Sequence, residues 1–211
     1  PDDESTRLLA HLSQQRRKIV DGQTKLRQQL LAQLKSYFPV VLELFGKEWQ
    51  LPLLLSVLAR WTDPRGLRRA DRQLIRRVLR EHSIRNEVQQ DEIIDRIRSA
   101  KFLCSDEALI TSSAMAVRLL VSLIQQSHKT IQEFDTKIAE VMKQHPDAHL
   151  FTSLSGAGSA AAPRLLCAFG SQRDRWEDAE SLAAFSGIAP VTRKSGKFCG
   201  VHRRYACPKY L

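Results

Sequence analysis

The amino-acid sequence predicts a mainly α-helical protein: long helices or a coiled coil, followed by a small helix-hairpin-helix-like C-terminal domain. Two observations support this fold class. Apolar residues recur at spacings of three and four almost to residue 143, with no convincing alternation typical of β-strands. After residue 145 the composition shifts to Gly, Ser, Ala and Pro, so we predict a domain boundary between residues 1–145 and 146–211.

The first predicted helix runs from about Ser5 to Tyr37. Its heptad positions are interrupted by Gln15 and Gly22, which favours a packed helix over a self-sufficient coiled coil. Pro39 should end this helix, because its ring removes a backbone donor and disfavours helical geometry at the preceding residue.

A second helix is predicted from Trp49 to Trp61, and a third follows the turn at Asp63-Pro64. The third would place apolar residues on one face and a line of arginines on the other. These arginines are Arg65, Arg69, Arg72, Arg76 and Arg80. Asp71 is the only nearby acidic residue in the sequence that could neutralise these arginines. The guanidinium group can donate two hydrogen bonds to one phosphate, so Arg69, Arg72 and Arg76 are candidate phosphate contacts. A solvated surface face is the alternative.

A fourth helix is predicted over about Glu87 to Lys101 and a fifth from about Asp106 to His145. The fifth carries two heptad series with a single polar break. The series are Val117, Ile124, Ile131 and Ile138, and Leu120, Ser127, Phe134 and Val141. This pattern predicts a long helix in a coiled coil or an antiparallel helical pair, with a core helix of a compact bundle as the alternative.

The composition indicates the class of partner. Lys and Arg number 33 against 23 Asp and Glu, a net charge of +10, which favours nucleic acid over a membrane. The longest apolar runs, such as Leu51–Leu55 and Leu119–Ile124, are too short to span a bilayer, so no membrane contact is expected. Four cysteines do not make a disulfide scaffold, and we expect a reducing cytoplasm, with Cys104 and Cys167 buried. The beginning at Pro1 without a Met suggests a piece of a longer protein.

The segment 150–162 has the form of a helix-hairpin-helix turn. An apolar residue precedes a Gly-x-Gly at Gly156 and Gly158, and small residues then open a helix. Glycine permits a positive φ, and bare N–H groups at the helix N-terminus can hold a phosphate without reading the base sequence. A simple tight turn is the alternative reading of so short a motif.

The C-terminal tail concentrates positive charge around one hydroxyl group. No acidic residue follows Glu180, whereas six positions there are cationic: Arg193, Lys194, Lys197, Arg203, Arg204 and Lys209. Ser195 lies among them on a predicted loop flanked by Gly196. A serine needs a base, a metal or a strongly positive setting to attack phosphorus, and cations would stabilise the transition state. An ordinary serine in a basic loop is the alternative.

Several motifs in this order resemble one family. They are Leu154-Ser155-Gly156-Ala157-Gly158, then Phe185-Ser186-Gly187-Ile188-Ala189-Pro190-Val191-Thr192, then Ser195-Gly196-Lys197, then Arg203-Arg204-Tyr205-Ala206-Cys207, with Gln15-Arg16-Arg17-Lys18-Ile19-Val20 and Leu34-Lys35-Ser36-Tyr37-Phe38-Pro39 near the start. They resemble the insertion-sequence transposases of the one-ten/one-sixteen type, which are recombinases guided by a bridge RNA. The resemblance spans nearly the whole chain.

The resemblance implies a DNA transposase of a bacterial cytoplasm, associated with the nucleoid. It implies that Ser195 is the nucleophile and that Gly156, Gly158, Arg193, Lys194, Gly196, Lys197, Arg203 and Arg204 contact nucleic acid. The partners would be DNA, a structured guide RNA and further copies of the chain, as a dimer or tetramer formed through the long helices. No cofactor is expected in this chain, because the family holds Mg²⁺ in a separate RuvC-like domain with four carboxylates, which this sequence lacks.

Other readings of the same residues remain open. Cys199, His202 and Cys207 suggest a zinc site, although structural sites usually have four ligands at tighter pairing. Tyr205 and Tyr210 are candidate nucleophiles of a different recombinase class. Two alternative functions for the whole chain are a non-catalytic nucleic-acid-binding module and an oligomerisation fragment organised by the heptads from Val117 to Val141.

Overall fold

The structure is a computed structural model that describes residues 2–47, 50–102, 104–202, 204–205 and 207. Its described residues are mainly α-helical, as the sequence predicts. The helices are α1 Glu4–Tyr37, α2 Pro39–Phe45, α3 Leu51–Arg60, α4 Pro64–Arg69, α5 Arg72–Glu81, α6 Glu87–Ser99, α7 Glu107–Gln144, α8 Ala148–Thr152, α9 Ala161–Phe169 and α10 Ala179–Ser186. The strands β1 Val191–Ser195 and β2 Phe198–His202 form one hairpin.

The chain divides into two compact units. Unit 1 comprises residues 1–18 and 132–211, and unit 2 comprises residues 19–131, so the two long helices contribute to both. The segment after residue 145 thus packs with the two ends of the long helices in one unit. The domain boundary between residues 1–145 and 146–211 rests on the change in amino-acid composition and stays a prediction.

The two long helices run antiparallel in each unit. In unit 2 the amide of Gln23 on α1 donates to the carbonyl of Ile124 on α7 (3.4 Å). In unit 1 the hydroxyl of Thr6 on α1 lies 2.9 Å from the ring of His145, just beyond the end of α7. The first heptad series of α7 is buried at every position, from Val117 to Ile138, as both a helical pair and a core helix of a compact bundle would require.

The core of unit 2 forms where the short helices α2 to α6 pack between the long ones. Its buried residues include Leu30, Leu34, Tyr37, Phe38, Val41, Phe45, Leu54, Leu58, Leu67, Val78, Leu79, Ile94, Ile97, Val117, Val121 and Ile124. Pro39 ends α1 as predicted, and it also begins α2, because a proline at the first helical position loses no intrahelical hydrogen bond. The helix predicted from Trp49 is α3, Leu51–Arg60; Trp49 itself lies outside the described residues.

The single helix predicted after Asp63-Pro64 is wrong: the structure has two helices, α4 and α5, with a break at Ala70. Ala70 is extended, with φ −60° and ψ 147°. Asp71 then begins a new helix, because its carboxylate accepts a hydrogen bond from the amide of Gln73 (3.1 Å). Aspartate is among the preferred N-cap residues, and this capping preference outweighs the continuity of the apolar and basic pattern.

The core of unit 1 brings the ends of the long helices onto the C-terminal segment. Its buried residues are Leu9, Ile138, Val141, Met142, Phe151, Ala162 and Leu166. The end of α9 is closed by the following loop: Arg175 donates to the carbonyls of Ala168 and Phe169, and the indole of Trp176 donates to the carbonyl of Phe169 (2.9 Å). This loop therefore has a structural role in closing the last turn of α9.

The mean hydropathy of α7 is higher than its short apolar runs led us to expect. An 18-residue window of this helix has a mean hydropathy of 1.6, so by length and composition alone the helix could cross a membrane. The short runs are separated mostly by Ser and Thr, and such weakly polar residues lower the average less than charged ones would. In the structure Val117, Val121 and Ile124 lie in the core of unit 2, and 28% of the window is buried.

Candidate nucleic-acid interface

Ser195 lies in a β-hairpin, not on the loop that the sequence predicts. The antiparallel register pairs Val191 with His202, Arg193 with Gly200 and Ser195 with Phe198. Two residues, Gly196 and Lys197, form the turn. Gly196 has φ +54°, a left-handed conformation that favours glycine at the first position of a two-residue hairpin turn.

Strand alternation divides the basic residues of the hairpin between its two faces. Ser195 shares one face with Arg193 and Phe198, whereas Lys194 and Cys199 lie on the other. Gly200 stands opposite Arg193, and a Cβ there would come 3.0 Å from the ring of Phe198. Because Gly200 has no side chain, the Phe198 ring can lie over it on the face that carries Ser195.

The hydroxyl of Ser195 is exposed, and no side-chain hydrogen bond reaches it in the part of the chain that the structure describes. His202 is on the same face, but its ladder partner is Val191, four residues and roughly 13 Å along the strand from Ser195. Among the described residues, positive charge lies near Ser195 and no general base contacts its hydroxyl.

The helix α10 leads into the hairpin and has well-formed ends. Asp178 and Ser181 form a capping box at its start, and Gly187 ends it with φ +79°. A Cβ at Gly187 would meet the side chain of Cys207, whose thiol donates to the carbonyl of Arg204 (3.4 Å). Arg204 is half-buried in this segment, and Arg203 lies outside the described residues.

The glycine turn between α8 and α9 has the predicted positive φ, at Gly156 (+82°). The bare N–H groups expected at the start of α9 are largely occupied: the amides of Ala161 and Ala162 both donate to the carbonyl of Gly158, and Pro163 has no N–H. The expectation of a fully free amide cradle is therefore wrong for the first turn of α9, because the tight turn satisfies its own donors.

The predicted line of arginines is neutralised by carboxylates that are distant in sequence. Arg72 and Arg76 both contact Asp91 on α6, at 3.1 and 2.6 Å. Arg65 contacts Asp63 and Glu107, and these carboxylates raise the pKa of its guanidinium. The expectation that only Asp71 could neutralise this line is wrong. Arg69, in contrast, is exposed and forms no ion pair with any described residue.

The geometry gives little support to the alternative zinc site or to a tyrosine nucleophile. The described residues contain no group of three or more His, Cys, Asp or Glu that could hold a metal ion. Cys199 and His202 lie on opposite faces of the hairpin, which prevents them from meeting at one ion. Tyr205 is highly exposed, and Tyr210 lies outside the described residues.

The sequence reasoning missed Phe198 and His202 as neighbours on the face of Ser195. A signal for them exists in the sequence. Two runs with β-forming residues, from Val191 and from Phe198, flank Gly196-Lys197, and a glycine in a two-residue connection is a hairpin signal. Half-buried Cys104 and Cys167 agree only partly with the expected burial; burial raises the pKa of the Cys167 thiol to about 11.

Comparison with protein families finds a similarity in the C-terminal part of the chain. Residues 148–211 match the family described as Transposase IS116/IS110/IS902 family. This match covers α8, α9, α10 and the hairpin that carries Ser195. It agrees with the resemblance recognised from the sequence motifs: residues 148–211 are similar to the transposase domain of this family.

Three curated relatives agree with this class. A protein of the IS117 mini-circle of Streptomyces coelicolor, named as the element's transposase, is 32% identical over 89 residues, which are 41% of this chain and 22% of that protein. An uncharacterized 43.6 kDa protein of insertion element IS110 of the same organism is 24% identical over 174 residues, 82% of this chain and 42% of that protein.

The third relative is an uncharacterized 42 kDa protein of insertion element IS900 of Mycobacterium paratuberculosis, 29% identical over 92 residues, which are 44% of this chain and 23% of that protein. The chain thus spans less than half the length of each of these relatives. No solved structure is detectably similar to it.

Proposed function

We propose that this chain is part of a longer DNA transposase and carries the serine nucleophile of strand exchange. The observation that carries the proposal is the family match over residues 148–211, which includes Ser195. The exposure of Ser195, its place beside Arg193 on one hairpin face and the net charge of +10 support it.

The chemistry uses the atoms of the hairpin itself. The hydroxyl oxygen of Ser195 attacks the phosphorus of a DNA phosphodiester and forms a serine–phosphate ester. The bond from phosphorus to the leaving sugar oxygen breaks, and the serine proton ends on that oxygen. Arg193 and Lys197 offset the negative charge that develops on the phosphoryl oxygens. Reversal of this step on a second DNA end exchanges the strands.

The family resemblance adds Mg²⁺ bound by a separate carboxylate domain. The described residues do not fit such an ion, since they contain no cluster of three or more metal-ligating side chains. We therefore derive no step through a metal in this chain. A structured guide RNA as a second ligand also rests on the resemblance, with support from the excess of Lys and Arg.

Self-association through the long helices is a further part of the proposal. The buried seam of α7 is satisfied within the chain, but Met115, Leu119 and Leu123 form an exposed apolar line on another face of α7, at 65%, 60% and 41% exposure. Residues four apart on a helix lie on one face, so this line can pack against the same line of a second copy. Leu119→Glu should reduce the molar mass measured by light scattering to that of the monomer, while Leu8→Glu, at another exposed leucine, should not.

The nucleophile is tested in the complete transposase with Ser195→Ala. This variant should lose the covalent protein–DNA adduct and strand cleavage while its DNA affinity stays within about twofold, since one hydroxyl adds little to many phosphate contacts. Thr192→Ala, an exposed hydroxyl on the other face of the same strand, is the matched control and should keep the adduct. An adduct that survives Ser195→Ala but is lost in Tyr205→Phe would assign the reaction to a tyrosine instead.

A further inference from the structure

A groove in unit 2 concentrates arginines around an exposed aromatic ring. It has a volume of about 520 Å³ and is lined by Arg65, Arg68, Arg69, Arg98 and Phe102. We call it the arginine groove. Three of the arginines belong to α4, Arg98 lies in the last turn of α6, and Phe102 follows that helix. The volume is within the range of roughly 300–1,000 Å³ that is typical of sites for small organic groups.

The two segments that line the arginine groove are joined by a hydrogen bond. The guanidinium of Arg98 donates to the carbonyl of Ala70 (2.6 Å), which is the C-cap residue of α4. This bond satisfies a carbonyl at a helix end and holds the ends of α4 and α6 together. The packing of α4 against α6 in unit 2 thus forms the groove.

Charge in the groove is unevenly compensated. Arg65 is bound to Asp63 and Glu107, so its charge is offset by two carboxylates. No ion pair joins Arg68, Arg69 or Arg98 to a carboxylate in the described part of the chain. Three guanidinium groups with uncompensated charge around one concavity favour an anion that offers several oxygens, such as a phosphodiester.

Phe102 adds a requirement that a simple anion does not meet. Its ring is 37% exposed, and the guanidinium of Arg68 lies over one face, with the guanidinium carbon 5.3 Å from the ring centroid. The exposed part of the ring offers a flat surface for stacking, and the guanidinium on the ring adds charge. Nucleobases that are free of base pairing stack on such rings, whereas the bases of a duplex keep their faces covered by their neighbours.

We infer that the arginine groove binds an unpaired nucleotide of a single-stranded nucleic acid, with its base stacked on Phe102 and its phosphates in contact with Arg69 and Arg98. The inference rests on the proposed nucleic-acid binding of this chain and specifies the ligand at one place. RNA and DNA single strands share this chemistry, so the experiment uses both.

The test measures the affinity of the 211-residue chain for three fluorescent probes: oligo(dT) and oligo(U) of about 12 nucleotides, and a DNA duplex of the same length. Phe102→Ala should weaken binding of the single strands about fivefold or more, because one stacking surface is lost, and should change duplex binding by less than about twofold. Val88→Ala, which removes another exposed apolar side chain from unit 2, is the matched control and should change neither.

The phosphate contacts have their own readout. Arg69→Gln should reduce the dependence of log K on log salt for the single strands by about 0.7. Arg77→Gln removes an equal charge from an exposed position on α5 outside the groove and should reduce it less. If Phe102→Ala does not keep the wild-type circular dichroism melting curve, Phe102→Leu retains the apolar volume without the flat ring and replaces it in the comparison.

The outcomes separate this inference from the broader proposal. Unchanged single-strand affinity in Phe102→Ala, or an equal loss for single strands and duplex, would overturn the groove as a nucleotide site while leaving nucleic-acid binding intact. Absence of binding to all three probes at low salt would overturn both. A selective single-strand loss supports the inference, and the tighter of the oligo(U) and oligo(dT) complexes identifies the kind of strand.

Discussion

Ser195 and Phe198 face each other across the last pair of the β1–β2 ladder, and only Gly196 and Lys197 separate them. The direction of the Ser195 side chain is therefore set by the alternation of a paired strand. The same alternation directs Arg193 to the face of Ser195 and Lys194 away from it. A side chain held at the end of a two-stranded ladder is more precisely positioned than one on a free loop.

The first prediction concerns the turn that forms this pair. Gly196 has φ +54° and open space around it, so Gly196→Ala should be unfavourable only through its backbone conformation, by about 1 kcal/mol. Hydrogen exchange of the amides of residues 191–202 should become faster, and adduct formation by the complete transposase should slow. Gly196→Asn should cost less, because Asn tolerates this conformation. Equal effects of both replacements would show that the turn does not require the left-handed geometry.

The second prediction concerns the seam between α1 and α7. Ile124 is 1% exposed in the core of unit 2, whereas its neighbour Gln125 is exposed. Ile124→Asp would bury an unpaired carboxylate and should lower the free energy of unfolding by about 4 kcal/mol. Gln125→Asp introduces the same group one position along and should cost less than about 1 kcal/mol. Urea unfolding followed by circular dichroism measures both, and similar losses would refute the assigned helix face.

The long helices illustrate what the sequence predicts well. In α7 the heptad spacing of Val117, Ile124, Ile131 and Ile138 is a local pattern with one physical cause, burial of one helix face, and all four are buried. The sequence could not choose between a seam within the chain and one between chains, because both bury the same residues. That choice depends on the antiparallel return of α1, which local periodicity does not encode.

The C-terminal hairpin and the arginines of α4 and α5 show where prediction from sequence ends. The runs around Gly196 are too basic and too short to give a clear alternation, so Ser195 was expected on a loop. Arg72 and Arg76 looked unneutralised because Asp91 is distant in sequence and reaches them only when α6 packs beside α5. Charge balance across elements is a property of the tertiary structure.

The third prediction separates two glycines of the turn between α8 and α9. Gly156 has φ +82°, and Gly158 has no left-handed φ and open space around it. Gly156→Ala should therefore destabilise the protein by about 1 kcal/mol, and Gly158→Ala should be close to neutral. Thermal unfolding measures the difference. If Gly158→Ala lowers DNA affinity without lowering stability, a phosphate approaches this backbone closely. Unchanged affinity would mean that Gly158 contributes only to the turn and does not contact DNA.

The fourth prediction is a pH dependence. Hydrogen bonds from Arg76 and Arg72 hold the pKa of Asp91 below its usual range. The folded state thus binds this proton less readily than the unfolded chain, whose carboxyl has a pKa of about 3.9. The contribution to stability is fully present above that value and is lost as the pH falls through the lower folded value.

Replacing this carboxylate should therefore matter at neutral pH and not in acid. Asp91→Asn should lower the urea midpoint at pH 7 and leave it close to wild type below about pH 3. Glu92→Gln, at the exposed neighbouring position, should have little effect at either pH. A deficit of Asp91→Asn that is constant across pH would mean that packing, and not the ion pairs, causes it.

The last prediction compares two pairs of cations that the sequence alone does not distinguish. Arg193 and Lys194 are exposed on the hairpin, and no acidic residue follows Glu180 to neutralise them. Arg72 and Arg76 share Asp91, so each would have to leave a carboxylate to contact a phosphate, and little net attraction would remain. The double variants Arg193→Gln/Lys194→Gln and Arg72→Gln/Arg76→Gln remove the same charge, which makes them matched controls for each other.

On duplex DNA, loss of two phosphate contacts should reduce the slope of log K against log salt by about 1.8 for the hairpin pair. The reduction for the α5 pair should be less than half of that, because its charges are already neutralised in the free protein. Asp91→Asn provides the converse, since it frees Arg76 and leaves Arg72 only its longer contact to Asp95 (3.5 Å), so it should steepen the slope. Equal reductions by the two double variants would mean that Arg72 and Arg76 exchange Asp91 for phosphate on binding, as the arginine line in the sequence first suggested.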